Sequence, residues 1–130
     1  MTSDLWALFA TLALATAQLS ASSLLTLRQL GPAWVLSPRD QVRETVGVTG
    51  RVARAYRNLL ESFPQFLAAL FLVHAAHTAG ALSAIGAWLF FAGRLAYLPA
   101  YLFGAPGVRP ACWLAAQTGV FVILANLFVR

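Results

Sequence analysis

Four long apolar runs, separated by short polar breaks, organise the chain. Positions 5–27 carry no charged residue, 23 in succession, with Asp4 before them and Arg28 after. A hydrocarbon core of roughly 30 Å is crossed at about 1.5 Å per helical residue, so the pattern predicts a transmembrane helix over about residues 4–29. A secretory leader would open with basic residues and have a shorter apolar core; with Asp4 as the leading charge, the segment reads as a retained span. Gly31-Pro32 is a helix stop, and residues 31–50, with "SPRD" and the glycines Gly47 and Gly50, read as a polar connector. A second helix is expected over about 51–78, a turn at Gly80 in "HTAG", a third helix over about 82–103, a tight connection in "FGAPGVRP", and a fourth helix over about 109–128. Backbone polar groups in lipid must be satisfied within the segment, and no alternating pattern of about ten residues suggests a barrel. The expected fold is an all-α integral membrane protein, one domain built as a four-transmembrane-helix bundle.

Composition agrees: 60% of the 130 residues are hydrophobic, 10% are charged and the mean hydropathy is +0.74, where a soluble domain has about a quarter charged. Nine arginines, no lysine and four acids make the chain basic. The arginines sit at the edges of apolar runs rather than across a polar surface, which excludes a nucleic-acid partner. Arg28, Arg39, Arg43, Arg51, Arg54 and Arg57 flank or fill the first connector, Arg109 lies in the third, and Arg130 alone falls at the other end. The positive-inside rule places the first and third connectors in the cytoplasm and both termini outside. Cys112 is the one cysteine, so no internal disulfide forms. His74 and His77 have no nearby Cys or carboxylate in sequence and read as interfacial polar residues rather than metal ligands.

The stretch "RAYRNLLESFPQF" changes the picture. At about 100° per residue, Arg54, Asn58 and Glu61 fall within an arc of about 60°, and Arg57 widens it to about 100°. Arg57 and Glu61 are spaced to pair. In "GRLAYLPAY", Arg94, Tyr97 and Tyr101 share another helix face. Measured from the Gly80 turn, Arg94 lies about 18 Å deep, Tyr97 about 23 Å, Glu61 about 25 Å, and Asn58 and Tyr101 both near 30 Å, so the two stripes can face each other. An arginine near the bilayer centre costs roughly 2.5–3.5 kcal/mol on insertion scales and should face protein. Pro64 and Pro99 are expected to kink their helices. Arg51, Arg54, Arg57, Arg94 and Arg109 against Glu61 leave an excess of four positive charges, arithmetic that calls for an anionic ligand. A small zwitterionic peptide with two carboxylates, phosphate, and anionic lipid headgroups all fit that excess.

The same residues resemble a known family. "RAYRNLLESFP" resembles the R-x-x-x-N-x-x-E-x-x-P signature of the MAPEG family, membrane-associated proteins of eicosanoid and glutathione metabolism. "GAWLFFAGRLAYLPAYLFGAPGVRP" resembles that family's third helix and the arginine opening its fourth. The similarity covers roughly residues 50–113, and the short length and "GVTGR" look most like the bacterial branch. The resemblance implies a homotrimer with glutathione as co-substrate between subunits, open to the cytoplasm and to lipid, in the inner membrane. It implies that Arg54, Asn58, Glu61, Tyr97 and Tyr101 bind glutathione, that Arg94 lines the site, and that Arg109 is catalytic, activating the thiol. Arg28 and Tyr56 match positions where a neighbouring subunit contributes. Two positions depart from the pattern: Ser62 stands where some relatives have a tyrosine, and Pro110 where a serine often follows the catalytic arginine.

The activity implied is that of a glutathione-dependent transferase or peroxidase acting on lipophilic electrophiles or hydroperoxides. The rival reading is a non-catalytic membrane protein whose arginine cluster binds anionic lipid or a partner protein.

Overall fold

The computed structural model describes residues 1–104 and 106–129; Arg130, the one arginine expected at the far end, lies outside them. The described chain is helical, without strands: α1 (Ser3–Leu30), α2 (Pro32–Val35), α3 (Gly47–Ala75), α4 (Ala81–Phe103) and α5 (Val108–Ala125). Three of them, α1, α4 and α5, are long and apolar enough to cross a membrane. The long helices run up and down, so Asp4, His74, Ser83 and Asn126 share one end of the bundle, and Arg28, Arg54, Tyr101 and Arg109 belong to the other.

The expected helix limits need three corrections. First, α3 begins at Gly47, four residues before Arg51, within the expected connector. Its two glycines suggested a loop, but a Cβ on Gly50 would lie 2.5 Å from the Thr45 carbonyl oxygen; this glycine permits a close approach inside a helix. Gln29, in the last turn of α1, fixes the entrance by accepting from the Val46 amide (3.1 Å) and donating to its carbonyl (3.3 Å). The four-residue α2 also interrupts the connector. Second, α3 ends at Ala75 rather than near Thr78; His77, at φ 54°, turns the chain toward α4. Third, α5 spans Val108–Ala125, and the residues after it form turns. Both α3 and α4 continue through their internal prolines, Pro64 and Pro99.

The face that α1 turns inward is Asp4, Ala7, Thr11, Ala15 and Gln18, spaced three or four apart. It is small and polar, while Trp6, Phe9, Leu12 and Leu19 point outward. This inverts the soluble rule: beside lipid, apolar side chains gain little by turning inward, and close packing of small residues selects the interface. The same device brings α4 and α5 together. A Cβ on Gly86 would lie 2.6 Å from the Gly119 carbonyl oxygen, and one on Gly119 would lie 2.5 Å from that of Gly86. At the centre, Phe66 and Phe90 stack with centroids 4.1 Å apart, among Ala69, Leu70, Val73 and Ile123.

Candidate functional site

With the true helix ends, the two stripes register differently from the expected pairing of Asn58 with Tyr101. Because α3 stops three residues early, its positions move about 4.5 Å toward the turn. Arg54 then stands level with Tyr101, and Asn58 drops toward Tyr97 and Arg94. The contacts follow that register. Arg54 Nε donates to the Tyr101 hydroxyl at 3.1 Å, with its guanidinium carbon 5.9 Å from the ring centroid. Arg109, in the first turn of α5, places its own guanidinium carbon 5.1 Å from the same centroid. Tyr97 lies next to Tyr101, ring centroids 5.8 Å apart. Two guanidinium groups thus share the electron-rich ring of Tyr101, which moderates their repulsion.

Arg94 is 1% exposed. Its Nη1 donates to Asn58 Oδ1 at 2.8 Å, and Asn58 Nδ2 donates to Glu61 Oε2 at 3.3 Å. Arginine only donates and a carboxylate only accepts, so the amide can bridge them in one orientation alone: oxygen to Arg94, nitrogen to Glu61. Arg94 Nε and Nη2 have no hydrogen-bond partner among the described residues. The Phe90 and Tyr97 rings, 5.4 and 5.7 Å from the guanidinium carbon, supply part of what a counter-ion would.

Of the five arginines behind the expected excess of four charges, two are engaged away from the cluster. Arg51 Nη1 donates to the Leu102 carbonyl at 2.7 Å, satisfying a free acceptor of the last turn of α4. Arg57 does not pair with Glu61; it lines a hollow beside α1 and the connector. Arg54, Arg94 and Arg109 remain against Glu61, an excess of two. Among the described residues no carboxylate oxygen lies within 4.0 Å of an arginine nitrogen.

Two hollows meet at Arg109. One, about 280 Å³, lies over Ala100, Tyr101, Gly107 and Pro110; the other, about 250 Å³, is bounded by Asn58, Tyr97, Pro110 and Trp113. At the start of α5, Ala111 donates to the Gly107 carbonyl at 3.2 Å, and Pro110 has no N–H to offer a ligand. One chain therefore gathers Arg54, Asn58, Glu61, Arg94, Tyr97, Tyr101 and Arg109. It does not bring in Arg28, exposed in the last turn of α1, or Tyr56, half-buried on α3; neither bonds to the cluster. Phe90 and Trp113 were missed from sequence, though each stands one helical turn from a site arginine, at i−4 from Arg94 and i+4 from Arg109.

A second polar cluster occupies the opposite end. Asp4, 1% exposed, accepts at Oδ1 from Thr2 Oγ1 and the Leu5 amide, and at Oδ2 from Ser83 Oγ (2.9 Å) and His74 Nε2 (3.0 Å). It ties α1, α3 and α4 together. None of the curated proteins compared is similar enough to count as a match. The MAPEG family matches over residues 5–129, nearly the whole chain, and with the helical architecture described above this protein is an integral membrane member of the MAPEG family.

Proposed function

We propose that the protein is a glutathione-dependent membrane transferase or peroxidase. The observation that carries this reading is the convergence of Arg54, Arg94 and Arg109 around Tyr97 and Tyr101 with Glu61 as the one nearby carboxylate. Glutathione fits the donor set: it brings two carboxylates for arginine forks and one ammonium for Glu61. Its charge fits as well. With the thiol ionised, two carboxylates and a thiolate against one ammonium sum to −2, opposite to the excess of two left by three arginines and Glu61. Neutral thiol leaves one positive charge uncompensated, so the site favours the ionised form.

Such a thiol supplies nucleophilic attack on an electrophile or reduction of a hydroperoxide. Arg54 would hold a carboxylate, and Arg94, closed off from both hollows, would attract the second by its charge across Tyr97. Glu61, kept in place by Asn58, would receive the ammonium. Arg109, in the first turn of α5, would stabilise the thiolate, with the dipole of that helix adding to its charge. A free thiol has a pKa of about 8.5, so only a few per cent is ionised at neutral pH; lowering it by two units takes about 2.7 kcal/mol of preferential stabilisation, within reach of a guanidinium in a dry site. Pro110 withholds an amide and any hydroxyl at that position, so more of the task falls on Arg109.

The working unit would be a homotrimer of four-span subunits, with α3 as the fourth span and the Arg109 end in the cytoplasm. Arg57, Glu61, Gln65, Ala68 and Leu72, all exposed, form one stripe along α3, on which Gln65 accepts from Gln117 Nε2 of α5 at 3.3 Å. Polar groups at membrane depth face protein, not lipid, and a neighbouring copy would cover them and deepen both hollows. The lipophilic second substrate would arrive through the bilayer.

Thermal unfolding of the purified protein in detergent tests this reading. Reduced glutathione should raise the midpoint, and its addition should produce thiolate absorbance at about 240 nm. Arg109→Leu should lose the absorbance while the assembly elutes unchanged. No midpoint shift and no absorbance would transfer the cluster to the non-catalytic, lipid-binding reading.

A further inference from the structure

A separate basic hollow lies on the α1 side of α3. It has a volume of about 440 Å³ and is lined by Arg43 and Glu44 of the connector, Arg54 and Arg57 of α3, and Thr26 and Leu30 of α1. A neighbouring hollow of about 420 Å³ shares Arg43 and Trp34 with it, and Arg39 lies over the Trp34 ring at 5.3 Å. Three guanidinium groups face one carboxylate in the first hollow, and none is within 4.0 Å of a carboxylate oxygen of the described residues. Its α1 wall stands where the uncharged run from Leu5 to Leu27 gives way to Arg28, which is headgroup height. The connector that forms its rim exposes Leu36 (85%) and Val42 (87%) between arginines. Apolar side chains interleaved with arginine suit the boundary of acyl chains and headgroups, not bulk water. The rim is fixed by Gln29 on Val46 and by Trp34 Nε1 donating to the Gln41 carbonyl at 3.1 Å.

We propose that this hollow binds the phosphodiester headgroup of an anionic phospholipid from the leaflet at the Arg109 end. The recognising chemistry is a phosphate anion held by Arg43 and Arg57, with the lipid's acyl chains beside α1 supplying what a soluble phosphate lacks. Arg54 borders the hollow while donating to Tyr101 on its other side, so an occupied headgroup site stands directly behind the candidate thiol site. The proposal does not depend on glutathione being the ligand there.

The test is thermal unfolding of the full-length protein in mild detergent titrated with phosphatidylglycerol, with phosphatidylcholine, or with inorganic phosphate at matched ionic strength. Phosphatidylglycerol should raise the midpoint and the other two should not. Each arginine near anionic headgroups contributes about a factor of five in affinity, so the Arg43→Gln/Arg57→Gln double variant should bind phosphatidylglycerol about thirtyfold more weakly. Arg43→Lys/Arg57→Lys should keep most of the response. Native mass spectrometry of the unmutated protein in mixed lipid should show phosphatidylglycerol retained over phosphatidylcholine, a readout independent of how well any variant folds. Equal retention of both lipids, an undiminished response in the glutamine variant, or stabilisation by inorganic phosphate alone would each overturn the proposal.

Discussion

Arg94→Met separates a functional arginine from a structural one. In the folded chain the Arg94 guanidinium makes one hydrogen bond, to Asn58 Oδ1, and leaves Nε and Nη2 without partners. The bond is charge-assisted and contributes about 1.5–3 kcal/mol. Two unsatisfied buried donors cost about 1–3 kcal/mol each, and the rings of Phe90 and Tyr97 return about 0.5–2 kcal/mol each. These terms nearly cancel. Methionine retains the long apolar stem and removes a buried charge that no carboxylate of the described residues contacts. Without ligand, the variant should unfold within about 1.5 kcal/mol of the parent protein.

Binding should respond differently. Saturating the site at about one hundred times Kd stabilises the parent by about 2.7 kcal/mol. Losing one partner of a buried charge pair costs about 2–5 kcal/mol, so the same glutathione concentration should stabilise Arg94→Met by less than about 1 kcal/mol. Thermal unfolding in detergent, with and without reduced glutathione, measures both quantities on one sample. A variant that is destabilised by more than about 3 kcal/mol without ligand, yet keeps the parent's glutathione shift, would refute the reasoning and make Arg94 a structural residue.

Three further outcomes are expected. Tyr101→Phe removes the acceptor for Arg54 Nε; losing about 0.5–1.5 kcal/mol should weaken glutathione binding about two- to twelvefold with little change in unfolding, read by calorimetric titration. Asp4→Ala removes the acceptor shared by Thr2, the Leu5 amide, Ser83 and His74, leaving Ser83 its bonds to Gly80, and should destabilise the fold by about 3 kcal/mol while glutathione affinity stays unchanged in whatever fraction remains folded. Gly119→Ala forces a Cβ to 2.5 Å from the Gly86 carbonyl oxygen; α4 and α5 must separate, at a cost of about 1–3 kcal/mol in unfolding experiments, and a second alanine at Gly86 should worsen it.

The charged stripes were legible because helical spacing alone places Arg54 with Asn58 and Arg94 with Tyr97. Their register was not, because it depends on where α3 stops, and three residues of error at a turn move a contact by about 4.5 Å. The start of α3 was hidden for a related reason: Gly50 is read as a loop residue until the Thr45 carbonyl beside it is seen. Asp4 looked like a leading charge on an apolar helix. Its role depends on His74 and Ser83, 70 and 79 residues away, and local pattern carries no information over such distances. One local clue existed, since Asp4 repeats with Ala7, Thr11, Ala15 and Gln18 at helical spacing. That face is less apolar than the rest of α1, so an expectation of apolar residues inside would have discarded it.

The two ends of the bundle differ in how their polar groups are satisfied, and that difference locates function more firmly than charge counting does. At the Asp4 end, donors and acceptors match: both carboxylate oxygens have partners, Trp88 Nε1 donates to Ser3 Oγ at 3.0 Å, and Asn126 Nδ2 donates to the Thr78 carbonyl at 2.6 Å. Such an end is complete without a guest, and a change there should be felt in folding. At the Arg109 end Arg94 keeps two unpartnered donors, Nε and Nη2, and arginine has no acceptor. Water can accept from those groups but cannot cancel their charge, and Arg94 is shielded from water as well. The proposed guest, with several anionic acceptors, would complete that end. Asp4→Ala and Arg94→Met should therefore fail in opposite ways, the first losing the fold and the second losing the guest.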